Sequence, residues 1–263
     1  MGTQKGRIFL LSFLINSIKI IFALGFLVLI HEGGHFLVAR LCKVNVIEFS
    51  IGFGPVILKK KTKKTLYSLR LIPLGGYVNL EGEEERVESE GSFSQASIPK
   101  RMAIILAGGI VNIIFGVVTF FILATVIANT NNLHDSFGSN LYFGLTKTKE
   151  FIFSIFESLK MLVTGKVGID QFMGPVGISQ AITQTVQFAD YVYILSLISL
   201  SLGITNLLPI PALDGGKFLL LIIELLRKKK LSEKTEINIQ LIGFAILLTL
   251  SLYVAYNDIL RIL

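Results

Sequence analysis

Apolar positions along this chain fall into four long, nearly unbroken runs, at about 9–41, 102–127, 190–226 and 236–258. Each meets the requirement of roughly 20 residues for an α-helix that crosses a hydrocarbon core. The first run follows Lys5 and Arg7, an arrangement that superficially reads as a signal peptide. It is too long for that, and no small-residue cleavage site follows it, so it predicts a retained membrane helix. The third run is too long for one crossing, and Pro209 and Pro211 interrupt it. It predicts a broken helix, whose loosened backbone must be buried in protein or line a polar cavity.

The pattern changes between the first two runs. Val46-Ile47-Glu48-Phe49 and the stretch 65–71 alternate with near period two and predict strands. Gly52, Gly54 and Pro55, then Pro73, Gly75 and Gly76, punctuate them as turns or bulges. The acidic stretch 81–90 predicts a solvated loop, and the moderately apolar segment 146–187 predicts one or two amphipathic helices at the membrane interface. The fold class is therefore membrane α-helical. About four transmembrane helices are expected, with a membrane-associated β segment between the first and second and a broken third helix, all within a single domain.

Composition supports this reading. Only 16% of residues are charged and 52% are hydrophobic, with a mean hydropathy of +0.69, whereas a soluble domain is nearer a quarter charged. A net charge of +7 raises the question of nucleic acid. No basic helix or RNA-binding motif accompanies it, so no nucleic-acid partner is expected. The lysines and arginines instead cluster beside the apolar runs. Segment 43–101 holds Lys59, Lys60, Lys61, Lys63, Lys64, Arg70, Arg86, Lys100 and Arg101, and the connection after the third run holds Arg227, Lys228, Lys229, Lys230 and Lys234. Basic connections stay in the cytoplasm, which puts both termini on the opposite side. The single cysteine, Cys42, excludes an intrachain disulfide framework and reads as a small apolar residue. His134 stands alone and reads as solvated.

Chemistry is concentrated in His31-Glu32-Gly33-Gly34-His35. Helix positions i and i+4 share a face, so both imidazoles reach one metal while Glu32 lies beside it. Neutral imidazole suits Zn²⁺, which when catalytic takes three protein ligands and leaves one position open. Ionisable residues at membrane depth are costly and mark function. A third ligand is needed. Asp214 is the only acidic residue between Asp190 and Glu224, and it follows Asn206, Pro209 and Pro211 within the third run. With His31 and His35 it completes a two-histidine, one-carboxylate set.

These two motifs, in this order, resemble the site-2 protease family of intramembrane zinc metalloproteases. They are closest to its bacterial branch of regulated intramembrane proteolysis. Phe49-Ser-Ile-Gly-Phe-Gly-Pro55 and Ile72-Pro-Leu-Gly-Gly-Tyr-Val78 resemble that branch's reentrant β segment. Ser92-Phe93, and Gly108 with Asn112 and Gly116, resemble its second-span signature, and Gly174-Pro175-Val176-Gly177-Ile178 its glycine-proline element. The resemblance covers nearly the whole chain. It implies that His31, His35 and Asp214 ligate zinc and that Glu32 is the general base. It further implies substrate contacts from Asn206, Gly75, Gly76, Tyr77, Pro209 and Pro211, with the β segment adding a strand of unwound substrate. The implied substrates are single-span proteins of the bacterial inner membrane, such as anti-sigma factors or remnant signal peptides. Two departures stand out: Gly109 replaces a frequent proline, and only the short region 128–150 occupies the place of the usual PDZ insert.

Two other functions use some of these features. A zinc carrier would not need Glu32 beside the histidines and would more often show inverted repeats, and none is visible. A catalytically inactive membrane scaffold would not need the intact His31, Glu32, His35 and Asp214.

Overall fold

The structure is a computed structural model, and it describes residues 2–262 except 63, 84, 86, 134, 135, 167 and 169–172. His134 lies outside the described residues. Seven α-helices and a two-stranded antiparallel sheet are described. Helix α1 runs over Gly2–Leu41, followed by strands β1, Val46–Lys61, and β2, Leu66–Leu80. Then come α2, Ile98–Thr130, α3, Phe137–Val163, and α4, Pro175–Thr183. The chain ends with α5, Phe188–Asn206, α6, Asp214–Arg227, and α7, Glu233–Ile262.

Four helical segments are long and apolar enough to cross a membrane: Leu10–Leu41, Ile98–Thr130, Phe188–Asn206 and Glu233–Arg261. Their outer faces carry large apolar side chains in the open, such as Leu11, Phe22, Ile114, Leu241 and Phe244. In water that surface would drive association, whereas in lipid it is the expected solvent-facing side. The third run is broken as its prolines require: α5 stops at Asn206 and α6 begins at Asp214.

The strands extend well beyond the stretches that alternate in sequence. Val46, Phe49, Ser50 and Ile51 pair with Leu80, Val78, Tyr77 and Gly76, while Lys59, Lys60 and Lys61 pair with Ser68, Tyr67 and Leu66. The lysine run is thus strand, because cross-strand hydrogen bonds outweigh the weak strand preference of lysine. Segment 146–187 holds parts of two helices, as many as expected, but α3 starts at Phe137, nine residues ahead of that segment, and α4 is short.

The chain divides into two compact units, Met1–Asn112 with Leu202–Leu247, and Ile113–Ser201 with Leu248–Leu263. In the first, Ala39, Val44, Val46, Leu80, Phe93, Ile104, Ile105 and Leu221 form one apolar cluster. It ties the end of α1 to the sheet, α2 and α6. Beside it, Arg101 donates two hydrogen bonds to Glu224, at 3.2 and 2.9 Å, with both side chains buried. In the second unit, Asp258 is buried and accepts the Gly177 N–H at 2.8 Å near the start of α4. A Cβ on Gly174 or Gly177 would crowd that carboxylate, which accounts for the glycines of this segment.

Candidate metal centre

Helix α1 places His31, Glu32 and His35 on adjoining positions of its last third, so the two imidazoles stand one turn apart on one face. Gly34, between them, lets α2 approach: a Cβ there would stand 2.7 Å from the Ala107 carbonyl oxygen. Gly108 of α2 faces the rings themselves, since a Cβ there would overlap His35 Nε2 and the Nε2 edge of His31. The close approach of α1 and α2 thus rests on two residues without side chains.

The third group arrives from the break between α5 and α6. After Asn206 the chain turns tightly, with Ala212 in the left-handed region at φ 74° and its N–H donating to Gln240 Oε1 at 2.6 Å. A left-handed alanine is strained, and that hydrogen bond helps to hold it. The carbonyls of Leu207, Leu208 and Ile210 fold back onto the first turn of α6, where a Cβ on Gly215 or Gly216 would overlap them. Asp214 is the first residue of that helix, where the positive end of the dipole favours a carboxylate.

The three groups meet. His31 Nε2 and His35 Nε2 are 3.2 Å apart, and Asp214 Oδ2 lies 3.2 Å from the first and 3.4 Å from the second. These residues form a cluster of potential metal ligands among the described residues. Tetrahedral zinc with bonds of about 2.0–2.1 Å holds its ligand atoms roughly 3.3 Å apart. Asp214 Oδ2 accepts no well-aligned hydrogen bond despite both nitrogens being so near. Three electron-pair donors drawn this close together are what a cation requires. The donor set fits zinc.

Behind the rings, His35 Nδ1 lies 2.8 Å from the Ile104 carbonyl oxygen, and His31 Nδ1 lies 3.3 Å from the Asn112 amide. The carboxylate of Glu32 is within electrostatic reach of His31, His35 and Asp214, and the backbone of Val78 lies beside it. Strand β2 passes close by: a Cβ on Gly76 would stand in ordinary contact with Glu32 Cγ, at 3.7 Å, while the absence of that Cβ spares the Ser50 carbonyl oxygen across the sheet.

The remaining expected contacts are less tightly grouped. Asn206 ends α5, half-buried, with no hydrogen bond to these four side chains among the described residues. Pro209 is exposed and Pro211 half-buried. Gly75 has φ 145° and lies against the Phe53 ring. The Tyr77 hydroxyl accepts from Arg70 Nη2 at 2.7 Å, and that guanidinium also bonds Glu48 at 2.9 Å. Burial alone would raise the Glu48 carboxyl, but hydrogen bonds from Ser68 and Arg70 outweigh it and hold it below the ordinary carboxylate range.

Residues 19–250 match peptidase family M50. The chain belongs to that family. A provisionally named zinc metalloprotease of Clostridium acetobutylicum is 30% identical, over 93% of this chain and 97% of its own length. A similarly named protein of Fusobacterium nucleatum is 28% identical over 91% of this chain and 97% of its own length. The zinc metalloprotease RasP of Oceanobacillus iheyensis is 40% identical over 49% of this chain and 30% of its own length. The first of these alignments spans 329 positions, more than the 263 residues of this chain, so that relative carries segments with no counterpart here. This M50 member is an intramembrane zinc metalloprotease.

Proposed function

We propose that His31, His35 and Asp214 hold the zinc ion of this protease, and that Glu32 is its general base. The observation that carries the assignment is the mutual spacing of the two Nε2 atoms and Asp214 Oδ2, at 3.2, 3.2 and 3.4 Å, with the Glu32 carboxylate beside them. When bound, zinc supplies Lewis acidity that polarises the scissile carbonyl and acidifies the attacking water. Glu32 accepts a proton from that water at a carboxylate oxygen and delivers it to the leaving amine nitrogen. Asn206, Gly75, Gly76, Tyr77, Pro209 and Pro211 are proposed to line the path of the substrate backbone. A helix hides its carbonyls in internal hydrogen bonds, so the substrate must unwind, and the β2 edge offers its backbone a replacement partner.

The proposed substrates are single-span membrane proteins, anti-sigma factors or remnant signal peptides among them, in the bacterial inner membrane. Two basic connections support an orientation with 43–101 and 227–235 in the cytoplasm and both termini outside.

Co-expression with single-span substrates tests the chemistry. Glu32→Gln nearly keeps size and charge-free shape while removing the base, so it is expected to retain zinc and cut about 10² to 10⁴ times more slowly. His31→Ala with His35→Ala is expected to lose zinc as well. Cleavage at the normal rate by zinc-loaded Glu32→Gln would overturn the assignment of the base.

A further inference from the structure

Both ligand imidazoles face the common centre through Nε2. A ring can donate an electron pair from Nε2 only if Nδ1 carries the proton, and the group at Nδ1 therefore selects the competent tautomer. For His35 that group is the Ile104 carbonyl oxygen, 2.8 Å away, an acceptor only. Its tautomer is settled. For His31 the group is the Asn112 side-chain amide, 3.3 Å away and wholly buried.

The end nearest the ring is Nδ2, but an amide offers two ends of nearly equal size that a half-turn exchanges. With Nδ2 toward the ring, Asn112 donates to Nδ1, and the imidazole proton sits on Nε2, pointing at His35 Nε2 and Asp214 Oδ2. That arrangement disables His31 as a ligand. With Oδ1 toward the ring, Asn112 accepts from Nδ1–H, and the Nε2 electron pair is free for the metal. The choice of amide end therefore decides whether His31 is competent.

Ile104, Gly108 and Asn112 are spaced i, i+4 and i+8 along α2 and share one face. One supplies the acceptor for His35, one the gap that admits both rings, and one the amide at His31. We propose that Asn112 is a positioning residue for the metal centre, its Oδ1 accepting from His31 Nδ1–H and fixing the zinc-binding tautomer. The proposal rests on the reading of His31 as a ligand. The plainer alternative is that Asn112 only fills space between α1 and α2.

Three variants of the full-length protein in detergent separate these cases: Asn112→Leu, which keeps the volume without the acceptor, Asn112→Asp, which keeps an acceptor, and His31→Ala. Zinc affinity is read by chelator competition, and thermal melting is followed with and without zinc. The expected result is a zinc affinity roughly 10- to 100-fold weaker in Asn112→Leu, the usual effect of losing such a partner. Asn112→Asp should stay within a few-fold of the unaltered protein, and metal-free melting should move little in either. Unchanged affinity in Asn112→Leu overturns the proposal, as does a loss that Asn112→Asp shares. An equal fall in melting temperature with and without zinc assigns a packing role and also overturns it. Should His31→Ala keep its zinc, the ligand assignment itself fails. Loss of zinc in His31→Ala beside normal zinc in Asn112→Leu sinks only the role of Asn112.

Discussion

Glycines near the metal centre differ sharply in what they do. Gly33 and Gly34 lie side by side between the histidines, yet a Cβ on Gly33 would meet nothing within 4 Å while one on Gly34 would meet the backbone of α2. Gly33→Ala should therefore keep its zinc, with stability unchanged or raised by up to about 1 kcal/mol from helix propensity. Gly108→Ala is the opposite case, because its methyl group would occupy the space of both Nε2 edges. Elemental analysis of the purified variants should find near-stoichiometric zinc in the first and little in the second. Zinc retained by Gly108→Ala would mean that the rings do not meet as described.

Among the elements, α6 matters most, because it carries Asp214 at its first residue and Glu224 near its last turn. The bidentate pair between Arg101 and Glu224 pins this helix to the start of α2. Both side chains are less than a tenth exposed, so each charge depends on the other. Glu224→Ala should cost about 3–5 kcal/mol by stranding a buried guanidinium, and a joint Arg101→Met, Glu224→Leu replacement should recover most of it. A second pair on α6, Lys217 with Glu83 at 2.8 Å, has a lysine side chain 40% exposed. Solvent screens such a contact, and Lys217→Ala should cost less than about 1 kcal/mol. Denaturation in detergent micelles compares the two, and equal losses would contradict this ranking.

At the scale of the whole molecule, charge and span number act together. Four apolar helical segments alternate with connections of unequal basic charge, and an even number of crossings returns both ends to one side. Single cysteines placed at Thr62 and Asn131, both exposed, after replacement of Cys42, test the proposed orientation. An impermeant thiol reagent added outside intact cells should label Asn131→Cys and spare Thr62→Cys. The reverse pattern would invert the molecule. The connection from α2 to α3 is also short, since one helix ends at Thr130 and the next starts at Phe137. No inserted domain separates them there.

Whatever local pattern and local cost can carry was legible in the residues alone. Apolar run length marked the spans, Pro209 and Pro211 marked the break, and the five residues from His31 to His35 placed two imidazoles on one helix face. Asp214 could be singled out because a carboxylate in so apolar a run is expensive unless something needs it. Tertiary structure decided what depends on groups distant along the chain. Ile104 and Asn112 stand 69 and 81 residues from the histidines they back, and nothing in their spacing announces it. Gly108 and Asn112 were visible only as parts of a motif, and their roles emerged once α2 packed on α1. The lysines of β1 became strand only through pairing with β2. Periodicity reports which face of an element is apolar, but a ring nitrogen, a carbonyl and an amide find each other only when the packed helices bring them within hydrogen-bond reach.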